Sequence, residues 1–96
     1  MISAMQRDVG SWHRRSFPGA TAEHIALVLA EEAGEVCRVI VKRAFGHRKQ
    51  TRGDLGDELG DVLIVLCALA ESEGIDLEAS AVERWAAVHS RSINRP

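Results

Sequence analysis

Five carboxylates carry the first hint of chemistry in this chain. Glu31, Glu32 and Glu35 lie within Glu31-Glu32-Ala33-Gly34-Glu35, and Glu58 and Asp61 follow in the next apolar stretch. On an α-helix, residues three or four apart share a face. Glu32 and Glu35 are so related, as are Glu31 and Glu35, and Glu58 and Asp61 repeat the three-residue spacing. Like charges so placed repel by roughly a few tenths of a kcal/mol even when exposed. Burial multiplies that cost unless a cation offsets it. Leu27-Val28-Leu29 and Val36, Val39 and Ile40 frame the first group, and the run from Val62 to Ala70 follows the second. If the two helices form a hairpin, Glu32, Glu35, Glu58 and Asp61 converge. Four carboxylates together are a hard oxygen site, suited to Mg²⁺ or Mn²⁺ rather than zinc. The competing reading is a solvated helix face, which is what a single pair of this kind usually is.

Other residue types narrow the chemistry. A diiron or dimanganese bundle needs Glu-x-x-His motifs. None of His13, His24, His47 and His89 has a Glu three positions before it. His13 and His24 read as surface or substrate-pocket residues. The two cysteines, Cys37 and Cys67, form no CxxC and read as buried thiols in a reducing cytosol. Gly34, Gly56 and Gly60 interleave with the carboxylates, where close helix approach or room for a ligand would explain them. Their spacing is wrong for a phosphate-binding P-loop.

The elements that must position these groups are helices. Ile2, Met5, Val9 and Trp12 recur at three and four, predicting a short helix over 2–15 that ends at Phe17-Pro18-Gly19. Thr21 caps a long helix to about residue 45, with apolar Ile25, Val28, Leu29, Val36, Val39 and Ile40 and with Gly46 beyond its end. A polar, basic connection from Gly46 to Gly53 contains His47, Arg48, Lys49, Gln50 and Arg52. Asp54 is the expected cap of the third helix, which stops near Gly74. Its middle, VLIVLCALA, is apolar on every side, as in a helix buried all round. Asp76 caps a last helix over 77–92 with Leu77, Val82, Trp85 and Val88 inward, followed by a frayed tail over 93–96. The expectation is an all-α antiparallel bundle of four helices in a single domain over 1–96.

Composition adds an expectation of oligomerisation. The chain has 96 residues, 46% of them hydrophobic and 4% aromatic, which is much aliphatic surface for a small monomer to hide. A net charge of −2 does not suggest a nucleic-acid-binding module, and no polybasic run suggests a membrane surface. Residues 1–8 lack the apolar core of a secretory signal, and Val62 to Ala70 is too short to span a bilayer. A cytoplasmic location is expected.

Together, EEAGE at 31–35 and DELGDVL at 57–63 resemble the EExxE…ExxD signature of MazG-like nucleotide pyrophosphohydrolases. Trp12-His13, Phe17-Pro18 and the segment Gly74 to Glu78 extend the resemblance over most of the chain. The resemblance implies an all-α enzyme that hydrolyses an NTP or dNTP to the monophosphate and pyrophosphate with Mg²⁺ (Mn²⁺ serving as an alternative). A house-cleaning role on non-canonical nucleotides and assembly as a homodimer or homotetramer are implied with it. Carried over, Glu32, Glu35, Glu58 and Asp61 are metal ligands, and Glu31 is a further ligand or helps deprotonate the attacking water. Lys42, Lys49, Arg52, Arg84 and Arg91 are candidates for phosphate contact, and Trp12, Phe17 and Trp85 for the base. The last helix departs from the family's Lys-x-x-Lys-Asn pattern: Arg84-Trp85-Ala86-Ala87-Val88 keeps only the first cation. Two alternatives stand beside this reading. Phosphoribosyl-ATP pyrophosphohydrolase shares the acidic motifs but has a Tyr-His pair where this chain has apolar residues after Asp61. A non-catalytic nucleotide-sensing module would keep the fold alone.

Overall fold

Helix signals in the sequence are answered, among the described residues, by four helices: α1 (Ile2–Ser16), α2 (Ala22–Phe45), α3 (Arg52–Ser72) and α4 (Leu77–Ile93). The computed structural model describes residues 1–46, 49 and 51–93. His47, Arg48 and Gln50 of the basic connection and residues 94–96 of the expected tail lie outside the described residues. Among the described residues there is no strand, and the fold class is all-α.

Each boundary has a local cause. Thr21 accepts a hydrogen bond from the His24 N–H at 3.2 Å, and the Thr21 N–H returns one to His24 Nδ1 at 3.4 Å. This reciprocal capping box opens α2 with histidine in the place usually held by Glu or Gln. The same device opens α3, but its cap is Thr51, not Asp54. Asp54 is the third helical residue, and its carboxylate accepts from the Thr51 N–H at 2.7 Å. Helix α3 therefore starts earlier than the sequence expectation, because Thr51 and Asp54 are both capping types and act as a pair. At the far end of α3, Gly74 adopts φ +66°, a left-handed conformation that favours glycine. The Gly74 N–H donates to the Glu71 carbonyl and the Ile75 N–H to the Ala70 carbonyl, which is the Schellman arrangement.

Helices α2 and α3 run antiparallel. Ile25 and Val28, early in α2, share a cavity with Ile64, Val65 and Ala68 of α3, whereas Lys42, late in α2, shares one with Asp54. Helix α1 packs on α3, and α4 touches α1 and α3 but not α2. The buried apolar residues are Ile25, Val39, Cys67, Ala68 and Ala70. The closest helix approach at a glycine is at Gly10, where an added Cβ would lie 2.5 Å from Glu71 Cγ. Beside it, Gln6 is 4% exposed and fully engaged. Its Nε2 donates to Glu71 Oε1 at 3.1 Å and to the Ile75 carbonyl at 2.7 Å, and its Oε1 accepts from the Leu77 N–H at 2.9 Å. One side chain thus ties α1 to the corner between α3 and α4.

The two N-termini of α1 and α4 share acidic caps. Glu78 Oε1 accepts from the Ile2 N–H at 2.7 Å, and Asp76 Oδ1 accepts from the Ala79 N–H at 3.1 Å and from Ser3 Oγ. These hydrogen bonds favour the ionised forms and hold both carboxyls below their ordinary values. The sign follows by linkage. A lowered carboxyl contributes stability that is present above its unfolded pKa and is lost as pH falls through the folded one. Thermal stability of the wild type should therefore decline below pH 4.5, the ordinary value for Glu78. Glu78→Gln should start lower and decline less over the same range. Parallel melting curves for the two proteins across that range would contradict this account.

Several sequence expectations are corrected. Val82, Trp85 and Val88 face outward, with Trp85 65% exposed, and only Leu77 of that set is partly covered. Among the described residues α2 does not touch α4, and the stripe of Val82, Trp85 and Val88 is left uncovered. Nor is α3 buried all round: Ile64 is exposed and lines a cavity shared with α2. Val28 and Ile40 of the α2 stripe are exposed as well. Cys37 is exposed, whereas Cys67 is buried as expected; both are free. Gly34, Gly56 and Gly60 have nothing within 4 Å of an added Cβ, so they border open space and mark no close helix approach.

Candidate active site

The hairpin of α2 and α3 brings the acidic pairs together because both lie on the seam between the helices. Glu32 of α2 and Glu58 and Asp61 of α3 each offer a carboxylate oxygen within 4.8 Å of the others. Packing against apolar neighbours and mutual repulsion raise the Glu32 carboxyl above its ordinary value. Desolvation is the largest cause, followed by the charges of Asp61, Glu58, Glu31 and Glu35. The donor set is all oxygen and of one charge, which suits a hard divalent cation.

The other predicted carboxylates sit differently. Glu35 lies one turn along α2, and its Oε2 is 3.7 Å from Arg38 Nη1. Glu31 is exposed and is not among the three converging groups.

A cavity opens on each side of the carboxylates along the seam. The first, of about 700 Å³, is mostly apolar. Glu32 and Asp61 stand at its edge, Val28, Ile64, Val65 and Ala68 line its inner wall, and Trp12, His13, Phe17 and His24 rim it. Trp12 and Phe17 meet edge to face at 5.8 Å and 86°, and His13 leans on Phe17 at 5.1 Å. Such packing fixes a flat-sided aromatic wall. Its size falls within the range of small-molecule pockets. The capping box on Thr21 orients His24 at the mouth.

The second cavity, of about 250 Å³, is polar. Glu35 and Glu58 stand at its near edge, and Arg38, Lys42 and Lys49 line it together with Asp54 and Asp57. Trp12 and Phe17 therefore border one cavity and Lys42 the other, while Arg84, Arg91 and Trp85 lie on exposed α4 and line neither. Arg52 lines neither cavity as well. Arg38 was not legible as a site residue from its type. Its spacing of three from Glu35 was the available signal, since that places both on one face.

Residues 20–94 match the family model for the MazG nucleotide pyrophosphohydrolase domain, a span that contains both acidic pairs. The chain belongs to this family. MazG membership makes it a nucleotide pyrophosphohydrolase, a hydrolase acting on acid anhydrides. Comparisons with curated proteins and with solved structures gave no match. The MazG match begins at Ala20, so Trp12, His13 and Phe17 of the aromatic wall come from outside it. No described helix is long and apolar enough to cross a membrane.

Proposed function

We propose that the whole chain is one MazG domain that hydrolyses nucleoside triphosphates, ribo- or deoxyribo-, to the monophosphate and pyrophosphate with Mg²⁺, and that Mn²⁺ substitutes for it. The observation that carries this reading is the position of the carboxylates, between an aromatic cavity and a polar one. Glu32, Glu58 and Asp61 hold the cation, and Glu35 joins them when its side chain turns from Arg38. A bound divalent cation supplies charge neutralisation on the phosphates and an acidified water. Glu31, one residue from Glu32, adds negative charge that favours the cation and stands where a proton can pass to solvent. Trp12 and Phe17 offer faces on which a base stacks, and Val28 and Ile64 exclude water beneath it.

The aromatic cavity supports a full nucleotide over a phosphate-only substrate. A panel of ribo- and deoxyribonucleoside triphosphates, including damaged bases, assayed with Mg²⁺ for pyrophosphate release tests the reading. Release from at least one triphosphate is expected, and a house-cleaning enzyme would prefer a modified base. No release from any of them would overturn it. Turnover of phosphoribosyl-ATP alone would instead favour that specialised activity, and metal-dependent binding without release a sensing role.

The exposed stripe on α4 supports assembly as a homodimer or homotetramer. Val82, Trp85 and Ile93 are each about two-thirds exposed. The Cα radius of gyration is 16.1 Å, against about 12.5 Å for a compact chain of this length. A second copy covering α4 would bury the stripe and give the extended chain a partner to pack against. Sedimentation should show a multiple of the 10.5 kDa chain, and Trp85→Glu should shift it toward the monomer. A wild type that sediments as a monomer at micromolar concentration would rule assembly out.

A further inference from the structure

The departure of α4 from the family pattern leaves open what grips the phosphates, and the polar cavity offers an answer. Three features converge there. Arg38 and Lys42 are four apart on α2, so they present both cations on the face that carries Glu35. Lys49 reaches the same cavity from the connection between α2 and α3, and the cavity is also lined by Asp57 and by Asp54, whose carboxylate accepts from the Thr51 N–H and hydroxyl. The cavity adjoins Glu58 and Glu35 on the side opposite the aromatic wall. From Glu32 to Lys42 the helix advances about 15 Å at 1.5 Å per residue, room for a triphosphate tail between them.

We propose that Arg38, Lys42 and Lys49 are the seat of the β- and γ-phosphates, which leave together as pyrophosphate. The proposal rests on the triphosphatase reading above and gives it a direction. The substrate lies along the α2–α3 seam, base at Trp12, α-phosphate at the carboxylates, and the two outer phosphates at the cations. Arg38 has a double role. Its guanidinium now holds Glu35, and a Glu35 that turns to the cation frees the planar fork for a phosphate, which it can bind through two parallel hydrogen bonds. A diphosphate fills this seat incompletely, so the seat selects triphosphates over diphosphates.

Calorimetry of inorganic pyrophosphate and of a nucleoside monophosphate, each with Mg²⁺, tests the seat without any turnover. Arg38→Ala/Lys42→Ala is expected to weaken pyrophosphate roughly tenfold or more, as loss of charged hydrogen bonds implies. Monophosphate affinity should stay within about twofold, because its partners lie at the other cavity and the carboxylates. Lys42→Arg should retain pyrophosphate binding. Circular dichroism verifies helix content, and the single variants Arg38→Gln and Lys42→Gln replace the double should it unfold. Unchanged pyrophosphate affinity, a parallel loss of both ligands, or a wild type that does not bind pyrophosphate overturns the seat. Pyrophosphate release from the nucleotide panel is scored separately. Release by the wild type with undiminished pyrophosphate affinity in the variants refutes the seat alone. Absence of release with the expected affinity loss refutes the triphosphatase reading and leaves an anion site.

Discussion

Glu32→Gln and Asp61→Asn are each expected to lower kcat/KM for a nucleoside triphosphate about a thousandfold, because a cation's charge stabilisation in such reactions is worth several kcal/mol. The two side chains come from different helices and converge within 4.8 Å, so removing either opens the same cluster. A second readout separates this from damage to the fold. In chelator at neutral pH, Glu32→Gln should melt higher than the wild type, since it deletes the charge that Asp61 and Glu58 most oppose. Adding Mg²⁺ should raise the wild-type midpoint and leave that of the variant nearly unmoved, because a ligand stabilises only what it binds. Full activity in either variant would remove these residues from the site. A variant less stable than wild type in chelator would mean that the carboxylates are structural and satisfied without a cation.

Gln6→Ala is expected to cost about 2–4 kcal/mol of folding stability, measured by urea denaturation with an unchanged m-value. Three hydrogen bonds leave with it, each worth about 1 kcal/mol, and the partly buried partners lose a replacement for water. Against a typical total of about 5–15 kcal/mol this is a large share. The loss falls on the corner that holds α4, so α4 should loosen first. A variant within about 0.5 kcal/mol of wild type would show that packing at Gly10 holds α1 without help.

The helix count and the three-residue spacing within each acidic pair were legible in the sequence for one reason: both depend on neighbours within a turn or two. Thr21, Asp76, Gly46 and Gly74 act where their residue types said they would. Thr51 and Asp54 were harder, because two capping residues three apart leave the choice of cap to geometry. Longer-range facts were not legible. The stripe of Val82, Trp85 and Val88 announces an amphipathic helix but not what it faces, and here it faces solvent. Glycines beside the carboxylates suggested either tight helix crossing or room for a ligand; the tight approach lies instead at Gly10, against Glu71. Arg38 and Lys42 carried the spacing of a shared face, but the cavity they line exists only once α3 lies alongside.

The placement of the two tryptophans has an optical consequence. The chain has no tyrosine, and Trp12 and Trp85 are its only indoles. Trp12 stands in the cavity wall, packed against Phe17, and Trp85 stands on α4, close to His89. Near-ultraviolet emission of this protein is therefore the sum of two reporters in different environments. With Trp85 replaced by Phe, quenching follows the cavity; with Trp12 replaced by Phe, the emission maximum follows whatever covers α4. Ligand entry and subunit assembly can be watched separately in the same cuvette, without a label.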